Sequence, residues 1–179
     1  MTSHSKMAYH FELEFYVVLR VSGKKLVPIF MPAIQEPNGL VRSDGKRPDG
    51  MSIIPWKMRR SLVRDATCVD TMAPTHLPGT NSNASSAAST AEGLKRRKYE
   101  NLSKDFIFVP FGVETLGTWG PSAKSFFKDL KKKLFEASGD QKAGTYFAQR
   151  ISIAIQRGNA ASLLGTLPTG GELTQIFYL

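Results

Sequence analysis

Two aspartates and a lysine-rich helix carry the chemistry that this sequence offers. Pro48-Asp49-Gly50 is a turn signal, and the short apolar run Met51 to Ile54 follows it. Pro55-Trp56-Lys57 breaks that run. Ser61 to Val69 then alternates, with Leu62, Arg64, Ala66 and Cys68 on one parity and Val63, Asp65, Thr67 and Val69 on the other. This reads as a β-hairpin within Gly45 to Asp70. If it folds about Lys57, Asp49 and Asp65 are equidistant from the turn. Residues opposite one another in an antiparallel pair have Cβ atoms about 5 Å apart. Two carboxylates at that distance repel unless a divalent cation or a shared proton offsets their charge. Thr67 lies two residues from Asp65 and shares its face. Glu36, in the turn-rich Gln35 to Leu40, is a further candidate acidic ligand.

The candidate counter-charge comes from a helix over about Ala87 to Ser103. Ala91, Leu94 and Leu102 form its apolar stripe at helical spacing. Lys95 and Lys98 fall within or beside that stripe, and Tyr99 lies at its edge. Arg96 and Arg97 point elsewhere. A lysine on a core-facing stripe must snorkel, neutralise or meet an anion, and the hairpin carboxylates are candidate anions. The alternative is a solvated charge run, Lys95-Arg96-Arg97-Lys98.

The other elements must position these groups. Lys25 to Ala33 is extended or irregular, because Pro28 and Pro32 disfavour helix. The Pro, Gly and Ser content of residues 72–89 predicts a flexible loop. Phe106 to Val113 is a continuous apolar run, the best candidate for a central strand buried on both faces, although Pro110 argues against it. Gly117 to Ser125 fails the P-loop spacing, which excludes that mode of nucleotide binding. Pro121 to Phe135 is a helix with a buried stripe of Phe126, Phe127, Leu130 and Leu134, and Lys124, Lys128, Lys131 and Lys132 on the other side. A last helix covers about Gln141 to Leu164, with Phe147, Ile151, Ala154 and Ile155 inside. Together these elements predict a mixed α/β domain, a small mixed β-sheet flanked by helices.

The 179 residues suffice for one domain with a real core. A net charge of +9 points to a polyanionic partner, foremost nucleic acid. Cys68 is the sole cysteine, which excludes an internal disulfide and a cysteine-rich zinc site and suits a reducing compartment. No apolar run approaches a membrane span. Phe15 to Leu19, short and preceded by Glu12 and Glu14, is a poor signal peptide.

Arg47-Pro48-Asp49, then Asp65-Ala66-Thr67, then Lys95-Arg96-Arg97-Lys98-Tyr99, then the strand ending in Gly117, resemble the restriction-like endonuclease region of certain non-LTR retrotransposons. That region belongs to the PD-(D/E)xK nuclease superfamily. The wider context, including QRISIAIQRGNAAS, is also similar to the C-terminal segment of reverse-transcriptase-like proteins. The resemblance covers roughly residues 25–168. It implies a restriction-endonuclease-like core over 25–168, an unassigned segment 1–24 and a tail 169–179. It further implies a DNA endonuclease derived from a retroelement, in which Asp49 and Asp65 with the Ala66 carbonyl hold Mg²⁺ or Mn²⁺. Lys95 would be the catalytic lysine, since Thr67 stands where the simplest superfamily pattern has one. Arg47 would bind phosphate or pair with a carboxylate, Thr67 would contact substrate, and Lys98 and Tyr99 would contact substrate or brace the site. The implied partner is DNA, with no membrane and no small-molecule cofactor, and the implied location is intracellular, in the nucleus. The competing expectation is a nucleic-acid-binding module, or a retroelement remnant, that does not cleave.

Overall fold

The computed structural model describes residues 33–40 and 47–164. The segment 1–24, most of residues 25–33 and the tail 169–179 lie outside the described residues. Four strands form one mixed sheet: β1 (Ala33–Gln35), β2 (Gly50–Ser52), β3 (Leu62–Val69) and β4 (Ile107–Glu114), in spatial order β1-β2-β3-β4. β1 and β2 pair antiparallel, as do β2 and β3. β3 and β4 pair parallel over eight residues, from Leu62 opposite Ile107 to Val69 opposite Glu114.

Parallel neighbours need a crossover. Here it holds a one-turn helix, α1 (Leu77–Thr80), and the longer α2 (Ser86–Lys98), followed by a 3-10 turn over Glu100–Lys104. Residues 77–80 and 86–89 of the segment whose composition predicts a flexible loop are thus helical. Pro78 sits in the first turn of α1, where its missing N–H costs nothing. The Thr80 hydroxyl donates back to the Thr71 carbonyl. The two remaining helices are α3 (Pro121–Ser138) and α4 (Ala143–Leu164). Gly139 ends α3 at φ 70°, where its N–H donates to the Phe135 carbonyl; a left-handed residue of this kind is a common helix stop.

The strand alternation decides which face meets which helix. Leu62, Ala66 and Cys68 of β3, with Phe111 and Val113 of β4, pack under α3 and α4. Phe126, Leu130 and Leu134 recur every four residues along α3, and Phe147, Ile151 and Ile155 do so along α4, so each helix turns one stripe to the sheet. Phe126 lies edge-on to Phe111, with centroids 6.1 Å apart. Trp56, from the turn between β2 and β3, adds a centroid 5.4 Å from Phe126. The opposite parity, including Val63 and Asp65, lies under α2.

Two sequence expectations change here. The run predicted as a central strand, Phe106 to Val113, forms β4 at the outer edge of the described sheet, buried on its faces by helices on both sides. Ile107 donates its N–H to the Ser61 carbonyl, so alternation turns the backbone of Pro110 away from β3. The missing proline N–H thus falls on the side where no ladder partner needs it, which reconciles Pro110 with a strand. The stripe predicted for α2 is also rotated. Leu94 is exposed, whereas Ala88, Glu92 and Tyr99 are buried.

Candidate active site

Asp49 precedes β2, Asp65 sits in the middle of β3, and Lys95 lies in the last turn of α2. The β2–β3 ladder pairs Gly50 with Arg64 and Met51 with Val63. That register is the one counted about Lys57, and one step further it sets Asp49 opposite Asp65. Asp49 does not continue the backbone ladder. Instead its Oδ2 accepts the Ala66 N–H at 2.5 Å. A strand residue sends its N–H and C=O to the same edge, so the Ala66 carbonyl also faces Asp49's side.

Lys95 leaves the charge run around it. Its Nζ stands 2.8 Å from Asp65 Oδ2. The Asp65 side chain is 3% exposed and that of Lys95 is 26%. The approach lies off hydrogen-bonding alignment, and among the described residues no donor is aligned on Asp65 Oδ2. The contact is therefore an ion pair held by charge, and that buried oxygen keeps lone-pair capacity. Arg96 and Arg97 are exposed, as their helical positions predict.

The other expected site residues divide. Thr67, half-buried, shares the face of Asp65 through the strand period. Arg47 does not turn to the aspartates: its Nε pairs with Glu36 Oε2 at 3.0 Å, and its Nη1 donates to Asn38 Oδ1 at 2.7 Å. That pairing also occupies Glu36. Lys98 Nζ sits 4.4 Å above the Tyr99 ring, a cation–π contact. Tyr99 is 2% exposed, with its ring 5.1 Å from that of Phe108, so it braces α2 against β4.

Two buried carboxylates were not expected. Glu92, one turn before Lys95 on α2, accepts three backbone N–H groups. Its Oε1 takes those of Gly112 at 3.1 Å and Ala123 at 2.9 Å, and its Oε2 takes that of Ser122 at 2.8 Å. It thereby caps α3, whose N-cap residue Gly120 has no side chain to do so. A Cβ at Gly112 would lie 2.8 Å from Glu92 Cγ, and one at Gly120 would overlap the carboxylate. Glu114 of β4 repeats the device, accepting the Ala88 N–H at 3.1 Å in the first turn of α2. A sequence offers no direct signal for either group, beyond the spacing that puts Glu92 and Lys95 on one helical face. Together they fix the axial position of α2 and so deliver Lys95 to Asp65.

The arrangement offers the Lys95–Asp65 ion pair under α2 and, at the adjacent backbone edge of β3, the Asp49 carboxylate on the Ala66 N–H. Among the described residues no three His, Cys, Asp or Glu side chains converge. Two carboxylates and a carbonyl are nonetheless oxygen donors of the kind that Mg²⁺ prefers, and the lone-pair capacity of Asp65 Oδ2 fits such an ion. Nucleophilic chemistry at Cys68 is disfavoured: burial, helped by the Asp70 charge, pushes its thiol up to about 11. No described helix is long and apolar enough to cross a membrane. No family model matches the chain, and no curated protein matches it either.

Proposed function

We propose that this chain is a metal-dependent DNA endonuclease domain with a restriction-endonuclease-like core, derived from a retroelement and acting on nuclear DNA. The observation that carries the reading is the meeting of Lys95 with Asp65 at 2.8 Å, one residue along β3 from the Ala66 N–H that Asp49 accepts. The strand order supports it: an antiparallel pair with Asp49 just before its first strand and Asp65 within its second, then a helical crossover bearing the lysine, then a parallel strand.

In this reading Asp49, Asp65 and the Ala66 carbonyl hold Mg²⁺ or Mn²⁺. An ion held there would supply an activated water and a positive charge on the phosphate. The water oxygen would bond to phosphorus as the bond from phosphorus to the leaving oxygen breaks, the water's proton passing to solvent and the leaving oxygen taking one from solvent. Lys95, already poised by its ion pair, offsets the negative charge that builds on the phosphoryl oxygens. Glu92 and Tyr99 hold α2 so that the ammonium does not drift. Thr67 and Lys98 flank the site and contact the substrate strand.

Binding without cleavage is the second reading, and the exposed Lys124, Lys128, Lys131 and Lys132 of α3 favour it. Incubation with supercoiled plasmid separates the two. The nuclease reading expects nicking in Mg²⁺ or Mn²⁺, none in chelator, and none from Asp65→Ala. Binding with no nicking in either metal supports the second reading, and nicking by Asp65→Ala removes the proposed site.

A further inference from the structure

The outward edge of β4 opens into a cleft of about 480 Å³ between the end of α2 and the start of α3. Strand addition is a poor use for this edge. Alternation turns the backbone groups of Phe108, Pro110 and Gly112 outward, but Pro110 has no N–H. Both Gly112 groups are already taken, the N–H by Glu92 and the carbonyl by the Gly120 N–H. An extended peptide would find almost no ladder to join.

The side chains suit a different occupant. The exposed Arg96 and Lys57 and the less exposed, apolar Val109 and Phe126 all line it. Arg96 donates through Nη2 to Ser122 Oγ at 2.7 Å, its one side-chain hydrogen bond among the described residues. A guanidinium carries five donors, so a fork remains for an anion. The N-terminal N–H groups of α3 are not the attraction, because Glu92 occupies those of Ser122 and Ala123. Asp129 adds a carboxylate to the same cleft. A bare anion gains nothing from Asp129 or from the apolar wall. A nucleotide uses all three features: phosphate on Arg96 and Lys57, a flat base against Val109 and Phe126, and an exocyclic amino group on Asp129.

We propose that the cleft holds one unpaired nucleotide of the substrate strand, with a preference for bases bearing an exocyclic amino group. The proposal rests on the DNA reading above and extends it to a position beside the scissile site. Pro110 lines the cleft and lies opposite Asp65 in the β3–β4 ladder, so the two sites are about one strand spacing, ~4.8 Å, apart at the backbone. Arg96 directly follows Lys95 on α2. Arg96 leaves α2 about 100° round the helix from Lys95, so a strand whose phosphate meets Lys95 would turn round the β4 edge to place a nucleotide in the cleft. Adenine and cytosine present an amino group and thymine does not, so the base selectivity follows from Asp129.

The test is a nitrogen-15 NMR titration of the full chain in chelator, where no cleavage can occur. The probes are dCMP, dAMP, dTMP and inorganic phosphate. The expected result is saturable shifts at Phe108, Ser125 and Asp129 with dCMP and dAMP, and affinity at least about tenfold lower for phosphate alone and weaker for dTMP. Arg96→Ala, an exposed change, should weaken dCMP roughly tenfold, as loss of a charge-assisted pair does. The charge-matched Arg157→Ala, outside the cleft, should not. Equal binding of phosphate and dCMP, shifts that map elsewhere, or no saturable shift at millimolar nucleotide would each overturn the proposal. Because metal is absent, a failure here leaves nicking untouched, and a failure to nick leaves this binding untouched.

Discussion

Replacing Glu92 tests whether the buried carboxylate, and not the apolar stripe alone, locks α2 to the sheet. Glu92→Ala strips acceptors from three N–H groups. Ser122 is half-buried and can turn to water, so its loss is small. Gly112 and Ala123 are buried, and each stranded donor costs about 1–3 kcal/mol. Loss of the anion at the start of α3 adds up to about 2 kcal/mol in a buried setting. Removal of the cost of burying a charge offsets part of this, leaving a loss of about 4 kcal/mol. That is a large share of the roughly 5–15 kcal/mol that a domain of this kind commands. Glu92→Gln should lose only about 2 kcal/mol, because its amide oxygen keeps two acceptor contacts while its NH₂ faces the Ser122 N–H. Urea unfolding followed by circular dichroism measures both. A Glu92→Ala loss under about 1 kcal/mol with unchanged denaturant slope would refute the reasoning, as would a Gln variant no better than Ala.

The Lys95–Asp65 pair should respond asymmetrically: Lys95→Met strands a buried carboxylate and should cost about 3 kcal/mol, whereas Lys95→Met with Asp65→Leu should recover most of it in the same unfolding assay. Cys68, raised to about 11 by burial and Asp70, should stay thiol at pH 8; alkylation should be slow in the native state, accelerate as pH rises toward 11, and become fast in urea, as mass spectrometry will report. DNA affinity should fall steeply between low and moderate salt, by orders of magnitude if several phosphates are neutralised, and a flat gel-shift salt series would contradict the electrostatic account.

How much of this was legible in the sequence differs by element. The hairpin register was, because Lys57 is the midpoint of Asp49 and Asp65 and the strand period is two, so counting alone set them opposite. The stripes of α3 and α4 were legible for the same reason, with apolar residues recurring every three or four positions. Lys95 could be placed near the sheet only as one of two alternatives. Helix periodicity gives a direction, whereas the partner, Asp65, depends on a tertiary contact. The rotation of α2 was misread because Glu92, a residue type that is rarely buried, occupies the face that apolar residues normally mark. Its burial follows from needs elsewhere in the chain: Gly120 cannot cap α3, and the Gly112 N–H faces outward from β4. The place of Pro110 at a sheet edge was hidden likewise, since an apolar run reads alike for a central strand and for an edge strand covered by helices. Arg47 was drawn to Glu36 and Asn38 by proximity in space that its position beside Pro48-Asp49 does not reveal.

The most direct test of the central claim is a metal-started nicking time course on saturating plasmid DNA with wild type and Lys95→Ala, alongside a gel-shift titration of each. Lys95 contributes one charge among many to binding and is paired with Asp65. The account predicts that Lys95→Ala loses most cleavage, at least about a hundredfold, while its DNA affinity falls no more than a few-fold. Equal cleavage rates for the two proteins, with equal DNA occupancy, would contradict it.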